Sequence, residues 1–456
     1  MTPLRAGTDC RPTAPAGAGR TCGGGVRLGL ACLALGLVQP GAARATPADT
    51  MGLRLEIGAA SDMTNELYYE DAFIDTTFLG MRQVSSPESR VAGVLMATLA
   101  GTRGAGAARY SLQNEFKLGD KLTRNALQLS WTDDVSPDWR LSLHPRLEYR
   151  NDRTFDRDLE EWRGSAAGRL RRSFDDGNTF ADLRAKGEFL RTKGTGADFI
   201  PDRNAFQIGS SVDHVPLFGN EWRLGYRLDA RQFPDSTVRD HFEHGVDGRI
   251  KFGHAAGHWL AFDATLSRRV TMRLAPTSRD NFWQEWGQAE LGLRIDERWQ
   301  ARANVQYEGF RYDVQDTSIY FDYGIARARV GPRYDRYTGL SVSAGPEGEI
   351  LRSAINPAED YDEFGAFLEI ELLGLGGWWS ATPAAGRREY SGESFDPDGL
   401  DLHQSYTYYE ISVLGDQRVP GGVRLRALGT VRHERHADSA SDATSLYFSL
   451  DVRRLF

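Results

Sequence analysis

Tyr447-Phe-Ser-Leu-Asp-Val-Arg-Arg-Leu-Phe456 closes the sequence, and its reading decides the fold. Phe448, Leu450, Val452 and Phe456 fall on one parity, interrupted only by Arg454. Tyr447, Ser449, Asp451, Arg453 and Leu455 fall on the other. A period of two, with aromatics near both ends, predicts a strand with one apolar and one polar face. Upstream, the alternation recurs. Leu141, Leu143, Leu147 and Tyr149 oppose Arg140, Ser142, His144, Arg146, Glu148 and Arg150. Leu224, Tyr226, Leu228 and Ala230 oppose Arg223, Arg227, Asp229 and Arg231. Ala301, Ala303, Val305 and Tyr307 oppose Arg302, Asn304, Gln306 and Glu308. Val423, Leu425, Ala427 and Val431 oppose Arg424, Arg426 and Arg432.

A strand that stops on Phe456 resembles the C-terminal strand of Gram-negative outer-membrane β-barrels, the porin-like superfamily. In that family a terminal aromatic belongs to the signal read by the barrel-assembly machinery. The resemblance implies that Phe448, Leu450, Val452 and Phe456 form that assembly signal. It also implies an outer-membrane setting, with lipid and lipopolysaccharide around the wall.

The opposite end agrees. Arg5, Arg11, Arg20 and Arg27 precede an apolar run from Leu28 to Val38, and Ala43-Arg44-Ala45 supplies a small-residue cleavage site. Residues 1–45 therefore read as a signal peptide and 46–456 as one barrel domain. The apolar run is shorter than the ~20 residues a spanning helix needs. Cys10, Cys22 and Cys32 all lie in that segment, so the exported chain is expected to have no disulfide and no thiolate chemistry. Without the segment, 50 basic and 62 acidic residues remain, a net charge of −12 and the wrong sign for a nucleic-acid binder.

Hydropathy is negative overall, and no later apolar run approaches the length of a spanning helix. A membrane location then requires a closed sheet, because only helices and barrels satisfy every backbone group in lipid. Short turns are expected near 133–138, 175–178, 218–221, 253–258, 296–298, 335–336, 374–377 and 416–422. Longer connections are expected near 61–90, 151–161, 193–203, 233–239, 271–281, 313–318, 346–363 and 386–403. The asymmetry matches short periplasmic turns and long external loops. The fold class is all-β, a transmembrane antiparallel up-and-down barrel of about 18–20 strands. The segment 61–90 either constricts the lumen or holds one more strand pair. The few residues between the cleavage site and the first strand leave no room for a plug.

Aromatics separate this barrel from a soluble sandwich. Trp139, Trp222, Trp299, Trp378 and Trp379 follow short turns and are expected at the membrane interface, where an indole can reach both lipid and headgroups. Trp259 and Tyr337 follow turns too, on the opposite parity. Arg140, Arg146, Arg223, Arg227, Asp229, Arg302, Glu308, Arg424 and Arg426 are the expected pore-lining residues. If the path is open, Arg140, Arg227, Arg302 and Arg426 would favour anions. The histidine pairs His241/His244 and His433/His436 point to opposite faces of a strand, which argues against a metal, and no catalytic motif is present. The expected function is thus a non-enzymatic, cofactor-free, water-filled pore for passive or weakly selective diffusion of small hydrophilic solutes. The alternative is an outlet barrel for export or surface assembly.

Overall fold

The computed structural model describes residues 50–74, 77–103, 108–153, 158–174, 177–194, 201–216, 219–254, 256–272, 281–315, 321–336, 338–355, 357–374, 376–392, 404–437 and 439–456. Side chains of residues 64–88 lie outside the description, as do the signal segment, Tyr337 and the centre of the 386–403 connection. One compact unit spans Ala48–Phe456.

That unit is a single closed antiparallel sheet of 20 strands. In chain order the first ten are β1 (Thr50–Ile74), β2 (Thr77–Arg103), β3 (Ala108–Gly119), β4 (Leu122–Ser136), β5 (Trp139–Asp152), β6 (Leu159–Ser173), β7 (Thr179–Gly194), β8 (Arg203–His214), β9 (Glu221–Gln232) and β10 (His241–Gly253). The second ten are β11 (Trp259–Thr271), β12 (Phe282–Arg294), β13 (Trp299–Tyr312), β14 (Tyr323–Arg336), β15 (Leu340–Ser353), β16 (Tyr361–Gly374), β17 (Gly377–Tyr390), β18 (Tyr406–Val419), β19 (Val423–His436) and β20 (Ala443–Leu455). Each strand pairs with the next, and β20 returns to β1 with Glu56↔Leu455 through Leu67↔Thr444. Phe456 extends this seam: its N–H donates to the Leu55 carbonyl at 2.8 Å. With 20 strands spaced about 4.8 Å and tilted about 40°, the backbone cylinder is roughly 40 Å across.

Two sets of side chains leave this wall in opposite directions. Leu143, Leu147, Leu224, Tyr226, Val305 and Tyr307 are among many large apolar residues that are exposed. On the other parity, charged side chains meet, some across intervening strands. Arg453 on β20 donates to Glu115 on β3 at 2.9 Å, past β1 and β2. Arg333 on β14 reaches Glu371 on β16 at 2.6 Å. Such reaches are possible only on the concave side, where side chains converge. The polar face is therefore the inside, and the apolar face meets lipid.

Connections differ from expectation in three places. Residues 61–74 and 77–90 form neither an inward loop nor an extra strand pair: they continue β1 and β2, which stay paired out to Ile74↔Thr77 with a bulge at Ala72/Phe73. The expected 346–363 connection shrinks, because β15 runs to Ser353 and β16 starts at Tyr361. A tight turn at Asp120–Lys121 joins β3 to β4 on the side of the long connections, so not every short turn is on one side. The Gly/Asp-rich turns on the other side follow backbone need. Gly339, at φ 84°, holds a conformation L residues avoid, and a Cβ there would run into the Leu373 carbonyl.

Prolines interrupt the ladders. Pairing of β14 with β15 lapses between Arg329↔Glu347 and Arg333↔Ser343, where Pro332 and Pro346 enter. Gly331 and Gly345 face each other there, and a Cβ on either would strike the opposite backbone. Pro145 and Pro383 sit in similar lapses, between β4 and β5 and between β16 and β17.

Two outcomes follow. Asn220 and Asp235 flank β9 at opposite ends. Single cysteines replacing them should react differently with an impermeant maleimide on intact cells, labelled at Asp235→Cys and silent at Asn220→Cys. The reverse pattern would invert the barrel. The second concerns Arg453, which is only 8% exposed and bridges Asp451 to Glu115. Truncating one partner of such a buried pair costs about 3–5 kcal/mol. Arg453→Ala should lower the melting point of the heat-modifiable folded band by several degrees; an unchanged melting point would show that the clasp is dispensable.

Candidate functional site

On β14 and β15 the inner face carries i, i+2 pairs of like charge that face each other across the ladder. Arg327 and Arg329 on β14 face Glu349 and Glu347 on β15, because the register sets Arg327↔Glu349 and Arg329↔Glu347. Arg327 donates to Glu349, and Arg329 to Glu347 at 2.7 Å. Arg388 on β17 donates to Glu363 on β16 at 2.7 Å and approaches Glu349 at 3.5 Å. Its guanidinium lies 3.9 Å from the Tyr361 ring centroid, and the Tyr361 hydroxyl donates to Glu349. On β19, Arg432 pairs with Glu434 at 2.8 Å and Glu410 at 3.4 Å, and packs 4.7 Å from the Tyr408 ring.

Tyr361, Tyr406 and Tyr408 are buried beneath this layer. An arginine held between carboxylates and a tyrosine face has little freedom left, so the donors and acceptors are fixed in place. They surround a depression of about 340 Å³ that crosses β13 to β19, with Asn304 and Gln306 on one flank and Arg432 and Glu410 on the other. Above it on the same face lies an aromatic shelf. The Phe282, Tyr312 and Tyr323 rings pack within 5.5 Å of Phe310 or each other. A smaller depression of about 250 Å³ lies on β7–β9, between Glu188, Arg203, Asp229 and Arg231.

The residues singled out from sequence occupy other parts of the wall. Arg140 pairs with Asp134 at 2.6 Å, and Arg146 with Glu148. Arg223 lies between Asp213 and Asp247 at 3.5 and 3.3 Å, and Arg227 binds Glu243 at 2.8 Å. Asp229 accepts from Arg231 at 3.0 Å. Arg302 donates to Gln300 at 2.7 Å, and Glu308 accepts from Gln284 at 3.3 Å. Arg424 and Arg426 share Asp416. Asp182 is a comparable hub, its side chain fully enclosed by Arg169, Arg171 and Arg184. Arg140, Arg227, Arg302 and Arg426 stand on β5, β9, β13 and β19. Sequence reading missed Arg327, Arg329, Arg388 and the buried tyrosines. Their signal was present as Arg327-x-Arg329, Glu347-x-Glu349 and Tyr406-x-Tyr408-x-Glu410, which repeat at the strand period.

Trp139 and Trp299 open β5 and β13, Trp222 is the second residue of β9, and all three are about two-fifths exposed on the apolar parity. Trp379, near the start of β17, shares that parity and donates to Gln417 at 3.3 Å. The four stand every fourth strand around the barrel. Trp378 pairs with Asp416 across the ladder and so has the inner parity. Phe448 and Phe456 are exposed on the apolar parity at the closing strand, with Arg454 5.0 Å from the Phe456 ring.

His241 and His244 diverge as strand neighbours must: the first is buried against the Arg239 carbonyl, the second pairs with Tyr226. Among the described residues no cluster of three or more His, Cys, Asp or Glu is arranged to hold a metal.

No family model and no curated protein matches the sequence. Solved structures match at the level of fold. The siderophore receptor PirA from Pseudomonas aeruginosa aligns with TM-score 0.52 at 10% identity, over 89% of this chain and 80% of its own. The alcaligin outer-membrane receptor FauA from Bordetella pertussis gives 0.51 at 13%, over 88% and 76%. The FrpB iron transporter from Neisseria meningitidis gives 0.54 at 11%, over 89% and 81%.

These neighbours overturn the passive diffusion pore expected from sequence, and the porin label and export outlet with it: they are named as a siderophore receptor, an alcaligin receptor and an iron transporter. Closed sheet, outward-facing apolar parity and these likenesses together give the chain the closed β-barrel fold of these outer-membrane proteins.

Proposed function

We propose that this barrel is a selective transporter of a small solute, which it binds at the depression on β13–β19 before passage. The observation that carries this is the fixed arrangement around that depression. Arg388 is held by Glu363, Glu349 and Tyr361, and Arg432 by Glu410, Glu434 and Tyr408. Positioned donors and acceptors beside a concave surface suit recognition, and the preorganisation lowers the cost of binding. The receptor and transporter activities of the fold neighbours support the same class.

In this reading Arg140, Arg146, Arg223, Arg227, Asp229, Arg302, Glu308, Arg424 and Arg426 keep the lumen wall hydrated and rigid, and do not set ion preference. Trp139, Trp222, Trp299 and Trp379 anchor the lower rim in lipid, with Trp378 turned inward. Phe448, Leu450, Val452 and Phe456 serve the assembly machinery, and residues 1–45 direct export.

The test is entry of labelled solutes into energised cells that lack their general porins and express this barrel. Selective transport predicts saturable entry of one chemical class, with competition inside that class. Arg388→Ala should reduce that entry at least tenfold while the folded barrel remains abundant. Entry that rises linearly with concentration for all small solutes alike, or no barrel-dependent entry of any class, would overturn the proposal.

A further inference from the structure

The depression itself narrows the solute. We infer that it takes a neutral, polyhydroxylated molecule of the saccharide class; this rests on the selective-transport reading above. Arg327, Arg329 and Arg432 on its rim are each already bonded to a carboxylate, and so are the neighbouring charges at Arg388. An incoming anion must take a guanidinium from its glutamate and leave that glutamate unpaired. A cation must do the converse. Either exchange strands a charge in a partly desolvated wall, which makes ions poor ligands here.

A hydroxyl avoids this penalty, because it both donates and accepts. It can donate to a spare carboxylate lone pair of Glu347 or Glu410 and accept from a spare guanidinium N–H, with each ion pair intact. Asn304 and Gln306 on β13 extend the same dual character, since a carboxamide carries one acceptor and two donors. The lining carries three arginines and four glutamates, so its formal charge is close to balanced and offers no net pull on an anion. A volume of about 340 Å³ is within the usual range for small-molecule sites.

The aromatic shelf is an independent observation. On the inner parity, Phe310 and Tyr312 lie beyond Asn304 and Gln306 toward the outer end of β13, and Tyr323 lies beyond Arg327 and Arg329 at the same end of β14. These rings are half-buried and lie between the outer ends of the strands and the depression. Sugar rings present apolar C–H faces and hydroxylated edges. Flat aromatic surface followed by a grid of mixed donors and acceptors is complementary to both.

Titration calorimetry on the purified, folded barrel tests this with three kinds of probe: a neutral oligosaccharide set (cellobiose, maltotriose, raffinose), citrate, and spermidine. At least one oligosaccharide should bind saturably, and more tightly than either ion by tenfold or more. The double variant Asn304→Ala, Gln306→Ala leaves the guanidinium–carboxylate pairs of the depression in place and should weaken that binding at least tenfold. Heat-modifiable mobility verifies its folding. Tighter binding of citrate or spermidine, or no oligosaccharide binding by a barrel that admits another solute class in cells, would overturn the saccharide inference and leave selective transport standing. Saturable binding that ignores the double variant would move the site elsewhere and overturn the inference as well.

Discussion

The pairing of β1 with β20 is the interaction on which the structure depends. A strand edge left open in hydrocarbon exposes unsatisfied N–H and C=O groups, each costing several kcal/mol, so the sheet must close on itself. Closure joins Glu56–Leu67 to Thr444–Leu455, and Phe456 adds the last backbone contacts through Leu55. It also divides every strand into a lipid parity and an enclosed parity. Arg453 reinforces the seam from inside by reaching over β1 and β2 to Glu115.

Enclosure explains the chemistry of the wall. Charges crowded on a concave surface cannot all remain solvated, so they pair, and paired charges with shared hubs hold each other in register. Asp182, Asp416 and Glu349 each engage more than one arginine. Such pairs add little net stability compared with apolar packing, but breaking one is costly, which favours a single arrangement. Fixed polar geometry is what a recognition surface needs.

Most of the fold was legible in the sequence, because alternation at a period of two is a direct imprint of the lipid and inner faces. Strands such as Trp139–Asp152 and Trp299–Tyr312 could be placed from that pattern alone. Residues 61–90 could not, since their acidic and aromatic composition reads as a loop while their pairing partner is a neighbouring stretch of equal length. Asp120–Lys121 escaped notice because a two-residue turn between long strands leaves almost no compositional trace. The site was harder to read. Parity shows that Arg327 and Glu349 face inward, but only register shows that they meet, and only curvature brings Arg388 to Glu349 across β16. Trp378 and Trp379 show the same limit: adjacent residues must face opposite ways, and the turn geometry decides which one meets lipid.

Closure in the stated register is the most direct test of this account. Ala59 and Val452 are opposite partners on β1 and β20, whereas Leu450 pairs with Ser61, two positions away. The only native cysteines are Cys10, Cys22 and Cys32, ahead of β1. Oxidation of outer membranes should cross-link Ala59→Cys with Val452→Cys and preserve the heat-modifiable form. The Ala59→Cys, Leu450→Cys pair should stay uncrosslinked. Cross-linking of the second pair in preference to the first, or of neither in a folded barrel, would contradict the closure on which the inner face and its depression rest.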